Sequence, residues 1–311
     1  MNSPVFHSRQ MRKYVLITAA HDEQEFIEQT LRSVVAQTVQ PQQWVIVSDG
    51  STDGTDELVA RYAAAHGFIR LVRCDPLHRH DFGSKVAAIH AGWEELGEEP
   101  YELVGILDAD IGLEADYYGA AVQRFADDSK LGVAGGVIYE EQHGKFQPRR
   151  SNRPDSIAGA TQLFRRECYE SVGGLPALRY GGEDWCAEVS ARMQGWHAMN
   201  FPELKVFHLR PTGTASNRLK HCFREGQMDY SVGSDLWFEI AKVTARVASP
   251  PAGIGAGSRL AGFLWSWLRQ EAQPVSAEFI AFLRRDQRER LWAAIRHPWR
   301  PLGDAIQKSR P

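Results

Sequence analysis

Cysteine is scarce in this chain. Cys74, Cys168, Cys186 and Cys222 are the four among 311 residues, with no Cys-x-x-Cys spacing and no paired His pattern, so neither a disulfide framework nor a zinc site is written here. That usage fits a reduced, cytoplasmic setting. Nowhere do about 18 consecutive apolar residues occur, and Met1 to Arg12 is polar with no apolar signal-peptide core, so neither a membrane span nor secretion is expected. An excess of one charge is also missing: 36 Lys and Arg against 39 Asp and Glu leave a formal charge of -3, which provides no overall field for holding nucleic acid. No Gly-x-Gly-x-x-Gly follows the first apolar strand, which removes the dinucleotide fingerprint and with it nicotinamide redox chemistry.

What the chain does contain is a buried strand that ends in charge. Leu103-Val104-Gly105-Ile106-Leu107 is an apolar run, and Asp108-Ala109-Asp110 follows at once. Two carboxylates one residue apart at a strand tip can present hard oxygen ligands to Mg²⁺ or Mn²⁺, which in turn holds nucleotide phosphates. An exposed turn with Asp110 as a helix cap is the alternative. Upstream, Tyr14 to Thr18, Trp44 to Val47 and Phe68 to Val72 read as strands. The segments between and after them place Ile27, Leu31 and Val34, then Leu58 and Tyr62, then Val86, Ile89 and Trp93 at helical spacing. Strands alternating with helices, with polar residues at each strand's carboxyl end, predict a doubly wound, mostly parallel α/β sheet. Ser48-Asp49-Gly50-Ser51-Thr52-Asp53-Gly54-Thr55 has the composition of a tight ligand loop; it also has the makings of a cap, with Thr52 or Thr55 at the N-cap and Asp56 and Glu57 in the first turn.

Ile17-Thr18-Ala19-Ala20-His21-Asp22-Glu23, Val47 to Thr55 and Leu107-Asp108-Ala109-Asp110, in this order and at these separations, resemble the family 2 inverting glycosyltransferases. The resemblance covers about residues 14 to 235 and implies a GT-A fold, Rossmann-like. It implies that Ala20, Glu23 and Asp49 line a nucleoside pocket, that Asp108 faces ribose and metal, and that Asp110 binds the metal, Mg²⁺ or Mn²⁺. Asp22 departs from the Asn more usual in the family, so it receives no assigned contact. Lys85 matches a basic position that faces the diphosphate, with a solvated helix start as the other reading.

Further along, Leu131 to Tyr139 is a Gly-broken strand and Gly159 to Phe164 another, with the basic stretch Lys145 to Arg153 expected as a loop between them. Gly181-Gly182-Glu183-Asp184-Trp185 opens a helix, and acidic residues at a helix N-terminus favour its dipole. The same pair matches the Glu-Asp motif of the family, whose Asp is the general base toward the acceptor hydroxyl, so Asp184 is the expected base and Glu183 its positioning partner. Leu204 to His208 is a strand with a terminal imidazole; the resemblance offers His208 as a third metal contact, and a solvent-facing His stays open. Arg224, in a segment resembling the one near acceptor and diphosphate, could offset leaving-group charge or form a surface ion pair.

After Pro250-Pro251 the pattern changes to helices. From Ser276 to Pro311 eight Lys or Arg stand against four Asp or Glu, interleaved with Phe279, Phe282, Leu283, Leu291 and Ile295. Such a segment suits an anionic membrane surface, or packing on the catalytic domain or a second subunit. The division expected is a catalytic domain over 1–247, with nucleotide half about 12–112 and acceptor half about 113–247, then a helical extension over 248–311. The function implied is metal-dependent, inverting transfer from a nucleotide-diphosphate sugar, UDP favoured, to a saccharide or lipid-linked hydroxyl in polysaccharide or glycolipid synthesis, at the cytoplasmic face and without nucleic acid. Two rivals are kept: a non-catalytic sugar-nucleotide binder or scaffold, and a nucleotidyltransferase, whose Gly-rich basic loop after the first strand is missing.

Overall fold

The apolar runs become one sheet. The computed structural model describes residues 13–75, 82–149, 152, 156–210, 218–247 and 252–296; Met1 to Arg12, His78 to Asp81 and the chain after 296 lie outside them. β1 (Tyr14–Ala20), β2 (Gln43–Asp49), β3 (Ile69–Cys74) and β4 (Leu103–Leu107) pair in parallel in the order β3-β2-β1-β4. β1, β2 and β4 are buried along nearly their whole length, as a parallel sheet covered on both faces requires. The crossovers are α1 (Ile27–Val35), α2 (Thr55–Ala65) and α3 (Phe82–Glu94). α1 buries Ile27, Leu31 and Val34, one stripe at helical spacing. Because these strands point one way, the loops after β1, β2 and β4 emerge at one edge, where ligands bind in open α/β sheets.

The second half adds β5 (Ile111–Leu113), α4 (Tyr117–Asp127), β6 (Leu131–Gln142), β7 (Lys145–Pro148), β8 (Thr161–Arg165), α5 (Arg166–Ser171), α6 (Glu183–Met193) and β9 (His197–His208). The sheet order is β3-β2-β1-β4-β8-β6-β9-β5, with β7 paired to β6. β8 runs against both β4 and β6, while β6 and β9 are parallel, so among the described strands only β5, β7 and β8 oppose the common direction. The register of β6 on β9 shifts between Gly136 and Val137, where a side chain at 136 would overlap the carbonyl of Leu204. The extra residues are on β9, which bulges between Phe201 and Lys205 opposite the Gly-broken strand.

Three expectations need correction. The basic stretch Lys145 to Arg153 is in part a strand: β7 folds back on β6 through His143 (φ 54°) and Gly144 (φ 75°). Two residues of positive φ make a type I′ hairpin, and His in place of the more usual Asn or Asp disguised it. β9 starts at His197, well before Leu204, because it follows β6 along its length. α2 is capped by neither Thr52 nor Thr55: Asp53 Oδ1 accepts the Thr55 N–H at 2.9 Å, and Thr55 is already helical.

α7 (Arg218–Ser231), α8 (Leu236–Ala245), α9 (Ile254–Leu268) and α10 (Ala277–Arg296) form a helical layer. α7 and α9 cross with their backbones in contact, Gly226 against Arg259 and Gly262 against Phe223. Beside that crossing Arg259 is buried, and Glu225 (2.6 Å) and Asp229 of α7 and Glu239 (3.0 Å) of α8 surround its guanidinium. A buried cation requires such a set of partners. The helices on either side of residue 247 therefore share packing, and α10 buries Phe279 and Leu283 against Leu178, Cys186, Val189 and Val232.

Candidate active site

Adjacent strands bring the first two loops together. Ala20 pairs with Ser48, and from there the loops clasp each other: Asp22 Oδ1 accepts the Thr52 N–H at 2.7 Å, the Glu23 N–H donates to Thr55 Oγ1 at 2.7 Å, and the Gln24 N–H donates to Asp53 Oδ2 at 3.0 Å. Asp22 takes positive φ to do this, and the Thr52 N–H lowers its carboxyl pKa. Its role is thus a loop clasp. Between the clasped loops Ala20 and Asp49 sit buried at neighbouring strand tips.

At the end of β4 the two carboxylates separate. The Asp108 N–H donates to the Ala160 carbonyl at 3.0 Å, and Lys85 Nζ lies 2.6 Å from Asp108 Oδ1. Burial works against the Lys85 charge, but Asp108, with Glu183 and Asp184 farther away, prevails and holds its pKa above the ordinary lysine value. Asp110 is buried at 8 % exposure. β5 starts at the next residue and pairs antiparallel with the end of β9, Ile111 opposite His208. That pairing places His208 Nε2 3.6 Å from Asp110 Oδ2. His208 Nδ1 is 2.8 Å from the Arg210 carbonyl, an acceptor, so Nδ1 is the donor in that bond and Nε2 is the ring nitrogen on the side of Asp110.

Arg210 is the residue that sequence reasoning missed. Its Nε donates to Asp110 Oδ2 at 3.2 Å and its terminal nitrogen to Glu23. The only sequence signal is the two-residue spacing from His208, which puts both on one side of an extended chain. Burial raises the Glu23 pKa and Arg210 opposes it, with Asp110 adding to the rise.

Among the described residues no three His, Cys, Asp or Glu side chains form a complete metal cage. Asp110 and His208 nevertheless offer one carboxylate oxygen and one imidazole nitrogen side by side. A Mg²⁺ or Mn²⁺ ion that takes its remaining ligands from phosphate oxygens and water needs no more protein than that. The donor types therefore fit such an ion, with Arg210 donating to the same Asp110 oxygen that faces His208, and the Asp108 carboxylate is engaged by Lys85.

The acidic pair at the head of α6 is set by glycine. Gly181 and Gly182, at φ 88° and 89°, turn the chain so that α6 begins at Glu183, with both carboxylates in its first turn. Glu183 is buried, Oε2 has no hydrogen-bond partner among the described residues, and burial first, then Asp184, raises its pKa. Asp184 Oδ1 accepts the Trp185 N–H at 2.7 Å, and the Gly159 N–H also donates to its carboxyl group. Burial outweighs these bonds and the Lys85 charge, and the Asp184 pKa sits above the usual aspartate value. Arg224 is exposed on α7, one helical turn before Met228, whose Sδ would lie 2.8 Å from a Cβ at Gly182.

Gly159 is a second residue the sequence did not single out as part of the site. A Cβ there would stand 2.5 Å from Asp184 Oδ2 and 2.9 Å from Asp184 Cβ. Gly159→Ala is expected to displace the carboxylate and lower turnover by about 10- to 100-fold, with nucleotide affinity unchanged. Steady-state kinetics beside calorimetric nucleotide binding checks this; full activity in a folded Gly159→Ala protein would show that the contact does not position Asp184.

The sequence model of Glycosyl transferase family 2 matches residues 15–180, more than half of the chain. The poly-beta-1,6-N-acetyl-D-glucosamine synthase of Staphylococcus aureus (strain COL) is 28% identical over 190 residues, covering 55% of this chain and 43% of the relative. The protein of the same description from Staphylococcus epidermidis is 27% identical over 183 residues, covering 53% and 42%. The chain thus spans less than half the length of these curated relatives. Among solved structures, the mannosyltransferase PcManGT from Pyrobaculum calidifontis, in complex with GDP-Man and Mn²⁺, superposes with a TM-score of 0.56 at 19% identity, over 94% of this chain and 88% of that one. GalNAc-T7 with UDP, GalNAc and Mn²⁺ gives 0.54 at 14% identity, over 85% and 57%. These likenesses show the GT-A fold, in agreement with the mostly parallel sheet and its C-terminal helices. With the family match over residues 15–180, this chain belongs to glycosyl transferase family 2.

Proposed function

We propose that this chain is a metal-dependent, inverting glycosyltransferase that moves a sugar from a nucleotide-diphosphate sugar, UDP favoured, to a hydroxyl of a saccharide or lipid-linked acceptor. The observation that carries the reading is the position of Lys85: it is bonded to Asp108 on the donor side and is close enough to Glu183 and Asp184 to shift its own ionisation. The carboxylates at the end of β4 and those at the head of α6 are also joined through the 159–160 segment, where Ala160 accepts from the Asp108 N–H and the Gly159 N–H donates to Asp184, an adjacency that supports a donor site beside an acceptor base.

In this reading Ala20, Glu23 and Asp49 take the nucleoside, and Lys85 and Arg224 meet the diphosphate. Asp110 and His208 hold Mg²⁺ or Mn²⁺, with Asp108 beside them; such a cation, when bound, offsets the charge that gathers on the departing diphosphate. Asp184 accepts the proton of the acceptor hydroxyl. The hydroxyl oxygen bonds to the anomeric carbon as the bond from that carbon to the phosphate oxygen breaks, and the electron pair leaves with the diphosphate. Attack from the side opposite the leaving group inverts the carbon. The raised pKa of Asp184 makes it a stronger base than an exposed aspartate and suits this role. Glu183 positions it from the adjacent residue.

The polysaccharide synthases among the relatives and the Mn²⁺ and nucleotide sugars named with the solved neighbours support this reading. Among the described residues no helix is long and apolar enough to cross a membrane, and a reaction at the cytoplasmic face is part of the proposal. Calorimetric titration with UDP, GDP and dTDP, in Mn²⁺ and then in chelator, tests it. Binding of one nucleotide that chelator weakens is expected; a folded protein that binds none would overturn the donor assignment and favour a different role for the carboxylates.

A further inference from the structure

Of the apolar residues of α10, Phe279 and Leu283 lie buried on the catalytic half, while Ile295 near its end is 68% exposed. A different surface is left open. Between α8, α9 and α10 lies a groove of about 300 Å³ walled by Leu236, Trp237, Leu264 and Trp267, with Arg284 and Arg288 in its lining. Trp237 is 72% exposed and Trp267 57%, and Leu268 beside it is 72% exposed. Every exposed tryptophan among the described residues lies on α8, α9 or α10.

The two arginines have fixed positions. Arg284 Nε donates to the Gly233 carbonyl at 2.9 Å, and Arg288 pairs with Asp235 at 3.0 Å. The groove lining carries Arg284 and Arg288 against the single carboxylate of Asp235, so it keeps one net positive charge although the whole chain is slightly negative. Tryptophan settles at the boundary between bilayer and water, and arginine is drawn to anionic headgroups. A twofold contact centred on the groove would instead bring two copies of the same net-positive lining together, and like charges oppose that.

We propose that the Trp237–Trp267 groove and its arginines dock on the surface of an anionic phospholipid bilayer. The position of the groove gives the contact a use. Tyr230 in its lining stacks edge-on to Phe263 at 5.7 Å, while Met228, two residues earlier on α7, approaches Gly182 at the head of α6. Groove and acidic pair thus lie on two sides of one helix, about 10 Å across. That this would bring Asp184 to a lipid-linked acceptor rests on the function proposed above; the docking itself does not.

Sedimentation of the full chain with phosphatidylcholine vesicles, with and without phosphatidylglycerol and without nucleotide, tests the inference. The chain is expected to pellet with the anionic vesicles and to be released as salt is raised. Trp237→Ser with Trp267→Ser should lower the vesicle partition coefficient by about tenfold or more, while Phe146→Ser, at an exposed apolar residue of β7, leaves it unchanged. Thermal melts and nucleotide titration of the same preparations report folding and the donor site separately. No binding by the folded chain, binding indifferent to salt and to phosphatidylglycerol, or equal binding by the folded double variant would each overturn the proposal. So would a dimer, seen by sedimentation velocity, that the double variant abolishes, since it would give the groove to a second copy.

Discussion

Asp184→Asn is expected to lower the rate of sugar transfer by about 10²–10⁴-fold, the usual range for loss of a general base, with nucleotide binding preserved. The substitution keeps the shape of the side chain and the oxygen that accepts the Trp185 N–H at 2.7 Å, and it removes the proton acceptor. The surroundings of Asp184 suit that proposed function. Burial is the largest influence on the Asp184 carboxyl and raises its pKa, while Trp185, Lys85 and Gly159 oppose the rise. The base acts only when ionised, so the wild-type rate should fall as pH drops through that raised pKa, giving an acid limb above the range of an ordinary aspartate. The residual activity of Asp184→Asn should lack this limb. Initial rates against pH for both proteins, beside calorimetric nucleotide affinity, are the measurement. Undiminished turnover in the variant, or an acid limb it retains, would remove Asp184 from the role of base and leave the helix dipole as its only evident use.

The parallel half of the sheet was legible in the sequence because parallel strands buried on both faces must be nearly continuous apolar runs. β1, β2 and β4 are such runs, and each ends at a motif. The acidic start of α6 was legible too, since two glycines mark the turn and two carboxylates follow. Arg210 was not. Its contact with Asp110 depends on β5 pairing with the end of β9, between segments nearly a hundred residues apart, and β5 is only three residues long. Gly159 was hidden for a related reason: a glycine before a strand is ordinary until Asp184 is placed against it. α4 could have been read, because Tyr117, Tyr118, Ala121, Val122 and Phe125 lie on one helical face. The groove at Trp237 has no local pattern at all, since three helices contribute its walls.

Asp110→Asn is expected to abolish the dependence of nucleotide binding on Mn²⁺ and to reduce transfer by about 10³-fold or more, the scale of several kcal/mol of lost charge stabilisation. The choice of Asp110 over Asp108 follows from their partners. Lys85 already satisfies Asp108 at 2.6 Å, whereas Asp110 has a second metal-ligand type beside it, the imidazole of His208, at the same Oδ2 that accepts from Arg210. Asn keeps an oxygen for Arg210, and the backbone carbonyl that accepts the Leu209 N–H at 2.9 Å is untouched, so the fold should survive. What changes is the charge: Arg210 then has the carboxylate of Glu23 alone, and a cation at His208 has lost its anionic protein ligand. Titrating UDP, GDP and dTDP into both proteins, with Mn²⁺ and with chelator, separates the outcomes. If the variant binds equally weakly under the two conditions, the wild-type difference came from a metal held at Asp110. If Mn²⁺ still strengthens binding in the variant as it does in the wild type, the ion sits elsewhere, and the pairing of Asp110 with His208 and Arg210 serves only to fasten β5 to the end of β9.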